Sequence, residues 1–160
     1  MAKITPCLWF DGKAEEAATF YVSVFPRSRV DSIVHAPSDY PSGKAGDVLT
    51  VEFTLMDQPF VGLNGGPQFR FNEAISLQIP VETQAQVARY SNALSAVPEA
   101  EQCGWVKDWY GVSWQIVPRQ LTSLLSDGDP DRAQRAFAAM MKMKRIDIAA
   151  LEHAVAGVAG

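Results

Sequence analysis

The sequence predicts an α+β fold of two tandem modules, each a strand and a helix followed by further strands, and then a helical C-terminal extension. Three observations carry this. A strand-like run, an amphipathic stripe and three more strand-like runs fill residues 4–64. The same order begins again near residue 74, without residue identity, and beyond residue 118 the pattern turns helical. The modules read as about 3–66 and about 67–118, with the extension at about 119–158, all within one domain, 1–160.

Element by element, "ITPCLWF" at residues 4–10 is apolar and β-prone. The following "DGKAEEAATFYVSVF" places Ala14, Ala17, Ala18, Tyr21 and Phe25 on one helical face and Lys13, Glu15 and Glu16 opposite. Asp11 is the expected N-cap and Pro26 the stop. "SRVDSIVHA" alternates as a second strand, "PSDYPSGKAG" is turn chemistry, and the β-branched "DVLTVEFTLM" is closed by Asp57-Gln58-Pro59 before "FVGL". The glycine-rich Gly62-Leu63-Asn64-Gly65-Gly66-Pro67 comes next. A phosphate loop needs free N–H groups at a helix N-terminus; a strand follows here, so the turn reads as a joint.

The second module runs "EAISLQIPV", "ETQAQVARYSNALSAV", "EQCGWVKDW" and "GVSWQIVP", shorter by one strand or with an abbreviated one. In the extension, Asp129 before Pro130 predicts a capped helix with a stripe of Ala133, Phe137, Met140 and Met141. Asp147 caps a last helix that aligns Ile148, Leu151, Val155 and Val158.

Composition narrows the function. With 160 residues, 48% hydrophobic, and a net charge of -4, the chain can bury a core; its only basic grouping is the scattered Lys142, Lys144 and Arg145. That argues against nucleic acid or an anionic membrane as partner. The N-terminus has no basic run ahead of an apolar core, and no stretch approaches about 18 apolar residues, so a cytoplasmic protein is expected. Cys7 and Cys103 read as two reduced thiols.

Three segments, "CLWFDGKAEEAATFYVSVFP", "GLNGGPQFRFNEAISLQI" and "CGWVKDWYGVSWQIVP", resemble the PhnB-like branch of the vicinal oxygen chelate superfamily, whose members often carry the name 3-demethylubiquinone-9 3-methyltransferase. The resemblance covers about residues 3–155. It implies the glyoxalase/bleomycin resistance-like fold, in which each module curls a sheet into a half-open cup around a ligand or metal, and it implies a homodimer. It also implies where metal ligands would stand: near Pro6-Cys7, at Gly62 or Asn64, between Ala74 and Ser76, and at Gln115. None of these is His, Asp or Glu, so no metal is expected. His35 and His153 read as surface residues, and Glu52 as an outward-facing charge on a half-buried sheet. No strand, glycine loop and helix of the kind that binds S-adenosylmethionine occurs, and no cofactor is expected.

What remains is aromatic. "GWVKDWYGVSW" holds three tryptophans and a tyrosine; in a hairpin, Trp105, Trp109 and Trp114 cannot all face the core, and the turn from Asp108 to Gly111 would present a ring. Ser76, Gln78, Gln115 and Asn64 would supply neutral hydrogen bonds. The expectation is a metal-free small-molecule binding protein holding a planar or apolar ligand in an aromatic-lined cup. Against it stands an enzyme of the same family, either the methyltransferase of the family name or a metal-dependent chelate-type catalyst. Cys7, Tyr21 and Glu73 are the only candidate acids, bases or nucleophiles; none has a visible activating partner, Cys7 is expected to be packed and inert, and no catalytic residue is assigned.

Overall fold

The computed structural model describes residues 2–157, in two compact units, Met1–Phe71 and Asn72–Gly160. Val158, expected on the last helical stripe, lies outside the described residues. The first unit runs β1 (Cys7–Phe10), α1 (Ala14–Val24), β2 (Arg29–His35), β3 (Val48–Leu55) and β4 (Gln58–Asn64). Its sheet has the order β1-β4-β3-β2, with β1 parallel to β4 and the other pairs antiparallel.

Alternation decides the faces of this sheet. Val51, Phe53 and Phe60 are buried, with the Phe53 and Phe60 rings stacked at 5.4 Å and the Tyr21 ring of α1 6.3 Å from Phe53. Ala14, Ala17 and Ala18 are wholly buried, and their small side chains let α1 lie close on the sheet. A side chain at Gly62 would meet the Ala14 methyl at 3.2 Å. The helix starts otherwise than expected: Lys13, not Asp11, is its N-cap and gives no side-chain bond. The first amide, Ala14 N–H, donates instead to Asn64 Oδ1 at 2.9 Å, so the cap comes from β4, fifty residues away in sequence.

The glycine turn is packed and its amides are taken. Gly65 and Gly66 N–H both donate to the Phe10 carbonyl, at 3.0 and 3.3 Å. The Trp9 ring occupies the place where a Gly65 Cβ would stand, Trp9 Nε1 donates to the Gly66 carbonyl at 2.8 Å, and Gly66 has φ +107°. No N–H of this pair is left to hold an anion.

The second unit runs β5 (Ser76–Val81), α2 (Gln84–Leu94), a 3-10 turn Pro98–Ala100, β6 (Trp105–Lys107), β7 (Ser113–Pro118), α3 (Arg119–Leu125), α4 (Pro130–Met140) and α5 (Ile148–Val155). Its sheet is β5-β7-β6, β5 parallel and β6 antiparallel to β7; this is the abbreviated copy of the first unit's order. Thr83 and Gln86 start α2 with a reciprocal capping box. Asp129 and Asp147 cap α4 and α5 as expected.

The stripe expected on α4 is displaced. Phe137 is 51% and Met141 50% exposed; Ala136 is wholly buried, and Ala139 and Met140 pack against the cluster of Leu121, Ile146 and Leu151. Small alanines permit the closer approach of α4. Further bonds fasten the segment between α4 and α5. The Gln84 amide donates to the Ile146 carbonyl and accepts from Ile148 N–H, both at 2.9 Å, and the N–H groups of Cys103 and Gly104 donate to the carbonyls of Met143 and Lys144 at 2.8 Å.

Arg145 completes that fastening, with Nε 2.7 Å from Glu101 Oε1 and a second bond to Asn92. The Arg145 bond holds the Glu101 carboxyl below its ordinary 4.5, outweighing the opposing effect of burial. A lowered folded-state value means that the stabilisation is present above the unfolded pKa and is lost as the pH falls through the folded one. The melting temperature should therefore drop on acidification below about pH 4.5, and Glu101→Gln should flatten that limb in a thermal scan against pH. An unchanged acid slope in the variant would assign the loss to other carboxylates.

Candidate functional site

In the second unit's sheet, strand alternation separates a buried set from an open one. Ile79, Val106, Trp114 and Ile116 are at most 3% exposed. Ser76 and Gln78 on β5, Gln115 and Val117 on β7, and Trp105 and Lys107 on β6 fall on the opposite face, exposed or half-buried. Pairing aligns Gln78, Gln115 and Trp105 in one row across the three strands. Gln115 Nε2 donates to Ser76 Oγ at 2.7 Å, and Gln78 Nε2 reaches Gln115 Oε1 at 3.5 Å.

A cavity of about 380 Å³ opens on this row, lined by Gln78, Trp105, Gln115 and Val117 from the sheet. Its other side is Leu121, Thr122 and Leu125 of α3, with Ser126, Met140 and Cys103. The sequence reading did not include the α3 and α4 residues. Nothing local marks them, because their role depends on how the helices pack; Met140 was expected only as part of the apolar stripe of α4.

The remaining predicted residues stand elsewhere. Trp109 is 80% exposed at the tip of the β6–β7 hairpin, and Trp114 is buried with Nε1 donating to Asp108 Oδ2 at 2.8 Å. Asp108 Oδ1 accepts from Tyr110 and Val112 N–H at 2.8 and 3.0 Å, so one buried carboxylate sets the turn that displays Trp109. The Asp-x-x-Gly spacing was the available signal for that role. In the first unit, Asn64 borders a polar cleft of about 310 Å³ with Asp11, Glu15 and Asp47. Both ends of its amide are engaged, by Ala14 N–H and by the Val48 carbonyl at 2.9 Å.

The candidate acid–base groups are occupied or misplaced. Lys107 pairs with Glu73 and holds its carboxyl below the usual carboxylate range. Tyr21 is wholly buried under α1. Cys7 is exposed, a correction to the packed thiol expected; Leu8 and Phe10 take the buried side of β1, which leaves Cys7 on the open one. What burial it has pushes the thiol pKa up, which disfavours the nucleophilic thiolate. A larger cleft of about 620 Å³, beside α3, is bordered by Glu82 and Arg119, which neutralise each other at 2.9 Å, and holds none of the predicted residues.

The donor set does not suit a divalent metal. Among the described residues no three His, Cys, Asp or Glu side chains converge to hold an ion. Of the expected ligand positions, Asn64 is spent on the backbone, and Ser76 and Gln115 are neutral and bonded to each other. Also among the described residues, no helix is long and apolar enough to cross a membrane.

Known proteins place the chain. The family model described as 3-demethylubiquinone-9 3-methyltransferase matches residues 2–117. The structure of a PhnB protein from Bacillus cereus is similar at 36% identity and a TM-score of 0.61, with 73% of this chain and 99% of that one covered. A protein from Pseudomonas aeruginosa is similar in fold at 17% identity and a TM-score of 0.57, covering 74% of this chain and 98% of that one. A glyoxylase/bleomycin resistance protein/dioxygenase domain from Frankia sp. aligns at 12% identity over 74% of this chain and 92% of its own, with a TM-score of 0.43. No curated protein matches. On the extent of the family match and the identity to the Bacillus cereus protein, the chain belongs to the 3-demethylubiquinone-9 3-methyltransferase (PhnB-like) family.

Proposed function

We propose that this chain is a metal-free binding protein that holds a planar or apolar small molecule against the open face of its second sheet. The observation that carries this reading is the convergence of Gln78, Trp105 and Gln115 on one cavity of about 380 Å³ with Val117, Leu121, Leu125 and Met140 around them. An indole face and aliphatic walls bind by burial, and two carboxamides orient the ligand without charge. The family name would ask for S-adenosylmethionine chemistry, and the superfamily's metal-dependent members for a charged ligand set; the residues around this cavity supply neither. We read the protein as cytoplasmic and as a homodimer.

Native mass spectrometry of tag-free protein, desalted and re-exposed to Mn²⁺, Ni²⁺, Zn²⁺ or S-adenosylmethionine, tests the alternatives. The expected spectrum is a dimer that takes up none of the four. Stoichiometric metal would restore a chelate-type enzyme, and retained S-adenosylmethionine would restore the methyltransferase. Binding is read with Nile red, an uncharged planar dye. Trp105→Ala should weaken its binding about tenfold or more, whereas Trp109→Ala, outside the cavity lining, should leave it within about twofold. Equal effects of the two substitutions would put the dye somewhere other than this cavity.

A further inference from the structure

The family match ends at residue 117, and 73% of this chain already accounts for 99% of the Bacillus cereus PhnB protein, which leaves that relative no length to match the remaining quarter. Yet that remaining stretch supplies one side of the cavity: Thr122 and Leu125 from α3, Ser126 just after it, and Met140 from α4. We propose that the C-terminal helices are a ligand-selecting wall, and that with it the cavity takes an uncharged aromatic molecule carrying an amide-like edge. This rests on the reading that the cavity is a ligand site.

Two features argue for that ligand class. Among the described residues, no acidic, basic or histidine side chain lines the cavity, so a ligand charge brought against Leu125, Met140 and the sheet would lose water and gain no counter-ion there. The hydroxyl of Ser126 is already committed to the Thr122 carbonyl at 2.8 Å, and offers a charge little in return. The polar edge is Gln78. Gln115 spends one N–H on Ser76 and its oxygen on Gln78, and the Gln78 carboxamide makes only that long 3.5 Å bond, which leaves its carbonyl and an N–H for a partner. A ligand carboxamide or lactam presents the complementary acceptor and donor side by side.

The wall is testable apart from the binding reading. The probes are 2-naphthamide and its anionic counterpart 2-naphthoate, titrated calorimetrically into the full chain. The wild type should bind the amide at least about tenfold more tightly than the carboxylate. Leu125→Ala, at a position 38% exposed where folding tolerates truncation, should weaken the amide about tenfold. Thr122→Lys should shift the preference about tenfold or more toward 2-naphthoate by adding the missing counter-ion, with the melting temperature unchanged. If the amide binds and depends on Gln78 and Trp105 while both helix variants behave as wild type, the wall proposal fails and the binding reading stands. Equal affinity of the wild type for the two probes also overturns it. Failure of both 2-naphthamide and Nile red to bind the wild type overturns the binding reading, and the wall with it.

Discussion

Asp108→Ala is expected to lower the unfolding free energy by about 3–5 kcal/mol, the largest effect of any single substitution considered. The side chain is 2% exposed and its two oxygens accept hydrogen bonds from the Tyr110 and Val112 amides and from the Trp114 indole. Alanine takes this acceptor away from donors in or beside the core, and water cannot reach the buried ones without opening the hairpin. Trp114 would lose its anchor near the start of β7, between Leu77 and Val106 in the pairing. Asp108→Asn separates the contributions. It can keep one oxygen for the two amides but points an N–H₂ group at the indole N–H, and should cost about half as much. Urea denaturation followed by tryptophan fluorescence gives both values, and a midpoint unmoved in the alanine variant would show that the turn is held by its backbone bonds alone.

Asn64→Ala should cost about 2–3 kcal/mol. Asn64 is 8% exposed, and its amide bridges the start of α1 to the start of β3: Oδ1 receives Ala14 N–H and Nδ2 donates to the Val48 carbonyl. Ala14 is wholly buried, so its N–H has no water to turn to when the acceptor is removed. Asn64→Asp makes a sharper comparison. It keeps the acceptor, and a negative charge at a helix N-terminus is favourable, but its second oxygen then faces the Val48 carbonyl. Hydrogen exchange should show the opening of α1 accelerated in the alanine variant and much less so in the aspartate one. Equal protection of α1 in wild type and alanine variant would remove Asn64 from the role of cap.

These two residues also show where sequence reading stops. Asp108 sits in a four-residue turn signal and Asn64 in a glycine-rich one, and both were legible as turn residues. Asn64 nevertheless counted as a ligand candidate, because a polar side chain beside a strand looks the same whether it meets a ligand or a helix end. The three tryptophans behave similarly. Alternation along β7 was enough to say that they could not all be buried, but only the hairpin register assigned Trp114 inward, Trp105 to the open face and Trp109 to solvent.

The sequence by itself determined the order of strands and helices through β7, the two-module α+β fold class, the caps at Asp129 and Asp147, and the family, since each is written in local periodicity, turn chemistry or contiguous segments. The tertiary structure alone decided that α1 is capped from β4, that α4 packs through Ala136 and not Phe137, and that α3 and Met140 stand across a cavity from Gln78, Trp105 and Gln115. The physical reason is common to all three. A helix's stripe and a strand's alternation say which side is apolar, but they do not say which partner it will meet, and a cavity wall is a relation between partners distant along the chain.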